Sequence, residues 1–87
     1  MTKPAIPDVL PRFVAYYRAH PSWGSLHVVL DDGNIEDVFV RGCAEYAREQ
    51  NDAEGGALAD ILLTMSKTQR GKISRLARAS RQEGDAL

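Results

Sequence analysis

Apolar residues recur at helical spacing along most of this chain, and that periodicity restricts the fold more than any other feature. The clearest run has the i, i+3, i+4, i+7 pattern of an amphipathic helix and consists of Ile35, Val38, Phe39, Gly42, Cys43, Tyr46 and Ala47. It predicts a helix over residues 35–50, with these side chains facing the core. Asn34 is suited to cap this helix, and Gly33 to the positive φ of the turn before it.

Three further segments predict helices. The first covers residues 8–19 and ends at His20-Pro21, because proline lacks a backbone donor and disfavours the α conformation in the residue before it. The next covers residues 53–65. The sequence Ser66-Lys67-Thr68-Gln69 has the pattern of a capping box, which predicts a last helix over residues 67–80.

Residues 22–30 fit two structures. Trp23, Leu26 and Leu30 have helical spacing, whereas the β-branched pair Val28-Val29 favours a strand at 26–30. No other segment has a strong period-2 run with which such a strand could pair. A short helix capped by Ser22 is therefore the preferred prediction, and the single short strand is the alternative.

The predicted fold is all-α, a compact bundle of four to five short helices in one domain over residues 1–87. Residues 1–5 and 82–87 are predicted to be disordered tails. A hydrophobic fraction of 44% suffices for one core. A chain of 87 residues has little room for a deep catalytic cleft, and domains of this size often gain stability from a partner.

The sequence also predicts a cellular compartment. Cys43 is the only cysteine, so the chain has no internal disulfide and a reducing environment fits it best. Its N-terminal residues lack the apolar stretch of a signal peptide, and no later run approaches the roughly 20 apolar residues of a membrane span. We therefore expect a cytoplasmic protein without a membrane partner.

Charge is divided unevenly along the chain. Residues 1–65 contain ten acids and five bases, whereas residues 66–87 contain six bases and two acids, so charges of −5 and +4 sum to the net charge of −1. The six bases cover a wide arc of the predicted last helix, opposite a narrow seam of Ile73, Leu76 and Ala77. This division indicates a partner, or a solvated outer face that complements the acidic remainder of the domain.

The candidate partner-binding residues on this helix are Lys67, Arg70, Lys72, Arg75 and Arg78. They fit docking on an acidic protein surface, or neutralisation of phosphates in a nucleic acid. The layout around residues 66–70 loosely imitates a helix-turn-helix, with Thr68, Gln69 and Arg70 placed to reach bases. The acidic remainder of the chain would repel a phosphate backbone, which favours the protein partner.

Trp23 is the candidate apolar anchor of such an interface, because tryptophan is prominent among residues that dominate binding energy. It is the only tryptophan, and Tyr16 and Tyr17 lie shortly before it in the sequence. In so small a domain, a tryptophan more often belongs to the core.

No motif predicts an enzyme, a metal site or a cofactor. His20, His27, Asp31, Asp32 and Cys43 offer ligand atoms but do not form a helical zinc motif of the H-E-x-x-H type. Residues 23–27 do not match a nucleophile elbow, and the chain has no glycine loop for phosphates. Cys43 is predicted to be a small buried hydrophobe on the helix over residues 35–50.

Two stretches of the chain resemble known small proteins. Residues 20–34, which read HPSWGSLHVVLDDGN, and residues 63–70, which read LTMSKTQR, resemble small uncharacterised proteins of bacteriophages and prophages. The resemblance implies no activity, cofactor or catalytic residue. It implies a setting in which short proteins act by occupying a host or phage protein, and inhibitors of bacterial defence systems are among them.

The sequence thus yields three functional hypotheses. The first is a non-enzymatic protein–protein interaction module that meets an acidic surface with its basic C-terminal helix. The second is a nucleic-acid binder that uses the same helix. The third is a structural or assembly protein that forms a homodimer by pairing the seam of Ile73, Leu76 and Ala77 with its copy.

Overall fold

The structure is a computed structural model that describes residues 5–20 and 24–85, with side chains as far as Ser80. The described residues form five helices: α1 (Ile6–Ala19), α2 (His27–Leu30), α3 (Asp37–Glu49), α4 (Ala53–Leu63) and α5 (Lys67–Asp85). No strand occurs within them, so the predicted all-α bundle is confirmed. Residues 27–30 are helical, as preferred over the strand, but this helix begins after Leu26, and the predicted cap Ser22 lies outside the described residues.

The bundle is built from two helix pairs joined by the short α2. Helix α3 packs mainly on α4, α1 packs mainly on α5, and α2 touches both α3 and α5. Between them lies one core, whose largest fully buried side chains are Phe13, Leu26, Leu30, Leu58, Leu62 and Ile73. Because each long helix turns an apolar side toward this core, most polar side chains lie on the outside.

Local signals in the sequence explain several helix ends. Ser66 Oγ accepts a hydrogen bond from Gln69 N at 3.2 Å, while Gln69 Oε1 accepts one from Ser66 N at 3.1 Å, which confirms the capping box before α5. Gly33 has φ 75°, as predicted for its turn. Asp52 caps α4 by accepting a hydrogen bond from Gly55 N at 3.0 Å.

Other helix ends differ from the prediction. Helix α1 begins at Ile6, two residues early, because Pro7 suits the first helical turn. Helix α3 begins at Asp37 after Glu36, and Asn34 does not cap it. Helix α5 continues to Asp85, beyond its predicted end at residue 80.

Two of the three residues of the predicted dimer seam are part of the core, and the third, Leu76, is half-buried. Ile73 and Ala77 are each 0% exposed and face the other helices of the same chain. They cannot also pair with a second copy without opening the bundle, so the structure removes this seam from the homodimer hypothesis. Cys43 is buried as predicted, and burial raises the pKa of its thiol.

Candidate interaction surface

Arg70 is a structural residue and does not face a partner. Only 4% exposed, it donates from Nε to the Leu62 carbonyl at 2.7 Å and from Nη1 to the Ile35 carbonyl at 3.0 Å. Nη1 also contacts Asp37 Oδ1 at 2.5 Å, and that hydrogen bond together with the attraction of the guanidinium lowers the pKa of Asp37. The prediction that Arg70 binds a partner is therefore wrong, because its charge is used inside the protein.

Two more bases of the predicted set have partners within the chain. The half-buried Arg78 donates from Nη1 to Ser74 Oγ at 2.8 Å and lies 3.4 Å from the Leu30 carbonyl. Lys67 Nζ lies 2.8 Å from Glu36 Oε2 in an exposed ion pair, which raises the pKa of Lys67. Lys67 stays accessible, but part of its charge is already balanced.

Two members of the predicted set remain exposed without an ion pair among the described residues. Lys72 and Arg75 are exposed on α5, and neither forms an ion pair with another described side chain. Trp23, the predicted anchor, lies outside the described residues. What remains of the basic surface is therefore Lys72 and Arg75, with Lys67, which pairs with Glu36, at one end.

The most exposed apolar area lies elsewhere, on helices α2 and α3. Val38 is 70% exposed, Phe39 43% and Tyr46 46%. With Val28 and Gly42 they line a groove of about 370 Å³. We call these five residues the α2–α3 surface. Contiguous apolar side chains outside a small soluble domain are typical of a binding surface.

The sequence pattern misplaced this surface because α3 is apolar on two sides. The core takes the side with the small residues Val40, Cys43, Ala44 and Ala47. Val38, Phe39 and Tyr46, predicted to be core, lie on the roughly opposite side. A signal was available in the sequence: seven apolar positions plus Val40 and Ala44 exceed the stripe that one packed side of a helix can bury.

Gly42 stands in the middle of the exposed side of α3. A glycine inside a helix lowers stability by about 1 kcal/mol relative to alanine. A Cβ added at Gly42 would meet nothing within 4 Å, so no packing within the chain requires a glycine there. The position leaves the backbone of α3 open to close approach from outside.

Carboxylates flank the α2–α3 surface on both edges. On α3, Glu45 and Glu49 are exposed within one turn of Gly42 and Tyr46. Just after α2, Asp31 and Asp32 lie beside His27, which lines the groove, and Asp31 Oδ1 also accepts a hydrogen bond from Tyr17 Oη at 2.8 Å. The exposed Arg41 and Arg48 fall beyond Glu45 around α3. No carboxylate lines the groove itself, but these four lie next to residues that do.

His27, Asp31 and Asp32 also form a small cluster of ligand types, with one ligand atom from each within 4.8 Å of the others. The imidazole lies between the two carboxylates: Nδ1 is 3.3 Å from Asp31 Oδ2, and Nε2 is 3.7 Å from Asp32 Oδ2. Acidic groups beside a histidine are common on protein surfaces without a bound ion, so this cluster by itself does not define a metal site.

A polar network around Asp52 joins α1, the turn before α2 and the start of α4. Asp52 Oδ2 accepts from Tyr16 Oη at 2.5 Å and from Ser25 Oγ at 2.8 Å, and Tyr16 Oη accepts from Ser25 N at 2.7 Å. Burial alone would raise the pKa of Asp52, but the hydrogen bonds from Tyr16, Gly55 and Ser25 outweigh it and lower the pKa. Burial of Tyr16 itself, together with its hydrogen bond to Asp52, raises the pKa of Tyr16.

This network is not arranged for nucleophilic catalysis. The Ser25 hydroxyl donates to a carboxylate that already accepts from Tyr16 and Gly55, and Ser25 is only 6% exposed. The nearby His20 ring stacks on Tyr16, with ring centres 4.4 Å apart, and its Nδ1 lies 3.1 Å from the Tyr16 carbonyl. The hydroxyls and the carboxylate therefore connect α1, the turn before α2 and the start of α4 by hydrogen bonds.

Comparison of the chain with protein-family models, with curated proteins and with solved structures found no match. No helix of the described residues has the length and apolar character needed to cross a bilayer.

Proposed function

We propose that this protein is a small non-enzymatic interaction module that binds another protein through the α2–α3 surface. The observation that carries the proposal is the exposure of Val38, Phe39 and Tyr46 on one side of a single helix. The module character follows the first hypothesis from the sequence, but the binding surface is a different one.

Two physical arguments support this surface. Burial of apolar area contributes about 25 cal/mol per Å², so covering a valine and two aromatic rings is a substantial source of affinity. Aromatic residues are also prominent in the centres of protein interfaces, where they give up little conformational entropy on binding. The rigid helix α3 already holds Phe39 and Tyr46 in place.

Binding of an acidic protein or of nucleic acid by the basic helix α5 has less support. Lys72 and Arg75 remain exposed for an acidic protein or for phosphates, but the loss of Arg70 removes the centre of the predicted set. The affinity of such a contact for nucleic acid would depend steeply on salt. Action inside a host cell, in the cytoplasm and from a phage or prophage gene, stays a prediction of the sequence.

Site-specific photo-crosslinking tests the proposal. A photoreactive phenylalanine analogue is placed at Val38, at Arg75 or at the exposed Thr64, and each protein is irradiated in bacterial lysate. We expect a discrete protein adduct from position 38, with little from positions 75 and 64. The captured protein is then purified, and its affinity is measured for wild type, for Val38→Ser and for Lys72→Ser as the matched control.

The expected result is at least a tenfold loss of affinity for Val38→Ser and no loss for Lys72→Ser. Adducts from position 75 alone would show that the partner binds the basic helix α5 and not the α2–α3 surface. Fluorescence anisotropy with duplex DNA and RNA at low and moderate salt covers the remaining alternative. Tight, salt-sensitive binding that Lys72→Glu and Arg75→Glu abolish would make nucleic acid the partner.

A further inference from the structure

The charges and the backbone around the α2–α3 surface indicate what kind of segment it binds. We infer that the groove takes an amphipathic helix from another protein, with apolar side chains on one face and lysines or arginines beside them. This inference rests on the proposed function, since it names the partner chemistry of the same surface.

The acids of this protein differ in whether a base of the same chain pairs with them. Glu36, Asp37 and Glu54 form ion pairs with bases of the same chain. Glu45 and Glu49, each one helical turn from a residue that lines the groove, form none with any described side chain. Carboxylates at the rim of an apolar groove favour basic residues next to the apolar anchors of a ligand and repel acidic ones.

The fold also favours a ligand with a helical backbone. An extended peptide usually binds by adding a strand to an open sheet edge, and the described residues contain no strand. Helices bind instead in apolar grooves through side chains at i, i+3, i+4 and i+7. Gly42, where an added Cβ would have open space around it, lets such a helix approach α3 closely between Val38 and Tyr46.

A second copy of the chain fits this surface poorly. In an antiparallel two-fold pair of α3 helices, the edge with Glu45 and Glu49 meets the same edge of its copy. In a parallel pair, that edge meets the edge of α2, with Asp31 and Asp32. Both pairings bring carboxylates together. The basic α5 of a second copy cannot supply the anchors, because Ile73 and Ala77 are buried in its own core.

The test uses two labelled peptides of about 18 residues, or five helical turns. Both carry leucines at i, i+3, i+4 and i+7. The remaining positions are mostly lysine in one peptide and mostly glutamate in the other. Affinity for the full chain is measured by fluorescence anisotropy at low and moderate salt, and helicity of the bound peptide is followed by circular dichroism.

We expect the lysine peptide to bind at least tenfold more tightly than the glutamate peptide, with a difference that shrinks as salt increases. The double variant Glu45→Lys and Glu49→Lys should reverse the preference. Asp60→Lys, a charge reversal at an exposed acid of α4, is the matched control and should leave it unchanged. Gly42→Leu should lower the affinity for the lysine peptide at least fivefold. Val38→Ser should lower it as much, and because Val38 is highly exposed this variant should fold normally.

Three outcomes would overturn the inference. Equal affinity for both peptides would mean that charge does not select the ligand. Lysine-peptide binding that Asp60→Lys lowers as much as the Glu45 and Glu49 changes would place it outside the groove. A dimer in light scattering at tens of micromolar that Val38→Ser abolishes would assign the surface to a second copy. If crosslinking at position 38 still captures a protein in any of these cases, the proposed function stands and only the partner chemistry fails.

Discussion

Arg70 of α5 and Asp37 at the start of α3 hold the beginnings of their helices together. The guanidinium contacts the carboxylate while it also donates to the carbonyls of Leu62 and Ile35, so one side chain joins α3, α4 and α5. Arg70 is buried, whereas the Asp37 side chain is 57% exposed. The two backbone carbonyls therefore make Arg70 important to the fold, and Asp37 adds a partly solvated charge.

Substitution of Arg70 should destabilise the protein. Arg70→Met leaves two backbone carbonyls without their donor, and we expect a loss of about 1–3 kcal/mol in the free energy of unfolding. Arg70→Lys should recover only part of this, because an ammonium cannot reproduce the planar set of donors. Urea denaturation followed by circular dichroism measures both. Lys72→Met, an exposed neighbour on α5, should change stability by less than about 0.5 kcal/mol, and an equal loss there would contradict the role of Arg70.

Acid should weaken the fold through its paired carboxylates. The Arg70 bond lowers the pKa of Asp37, and the Arg12 bond lowers the pKa of Glu54. Each therefore binds fewer protons when folded than when unfolded, so its contribution is complete above the unfolded pKa of about 4 and is lost as pH falls through the folded pKa.

Urea denaturation at pH 7 and at pH 3 measures this loss. Asp37→Asn should lose less stability on acidification than wild type does, because one of the linked carboxyls is gone. Asp60→Asn, at an exposed acid without an ion pair among the described residues, is the control. A wild-type loss matched by the Asp37→Asn variant would show that the Arg70 pair does not contribute to the pH dependence.

Asp52 should matter more than an ordinary helix cap. Asp52→Ala removes the cap of α4 and leaves the Tyr16 and Ser25 hydroxyls without their acceptor, so we expect a loss of about 2–4 kcal/mol. Ser66→Ala removes a cap of the same kind from α5 without such a network, and about 1 kcal/mol is expected there. Urea unfolding of the two variants isolates the contribution of the network as the difference. Equal losses would show that the network adds nothing.

Two glycines should respond to alanine in opposite directions. Gly42→Ala adds a methyl group where nothing lies within 4 Å, so the better helix propensity of alanine should raise stability by about 1 kcal/mol. Gly55→Ala places a Cβ 2.5 Å from Asp52 Oδ2 and should disturb the cap and lower stability. Thermal unfolding distinguishes them. A destabilised Gly42→Ala protein would mean that a neighbour in the chain already occupies that space.

Cys43 reports on opening of the bundle. Its thiol is 4% exposed and its pKa is raised by burial, so it holds little reactive thiolate at neutral pH. We expect slow reaction with a disulfide reagent in buffer and fast reaction in urea above the unfolding midpoint, followed by absorbance. Reaction in buffer as fast as that of a free thiol would contradict the burial of Cys43.

Periodicity and capping patterns sufficed for the class of fold and for most helices. Ser66 and Gln69 form the predicted capping box, and Gly33 takes its positive φ, because these structures depend on residues close together in the chain. Helix ends that depend on packing were less predictable, and α5 extends beyond its predicted end.

Only the tertiary structure decided which charges and which apolar residues face outward. The bases of α5 look alike in the sequence, yet Arg70 turns inward because the carbonyls of Leu62 and Ile35 lie beside it, and those residues are distant along the chain. Likewise, either apolar side of α3 could have faced the core. The side with Val40, Ala44 and Ala47 does so because small side chains let α3 and α4 pack closely, which leaves Val38, Phe39 and Tyr46 outside. The sequence by itself determined which segments form helices, and the contacts between helices determined which of their side chains are exposed.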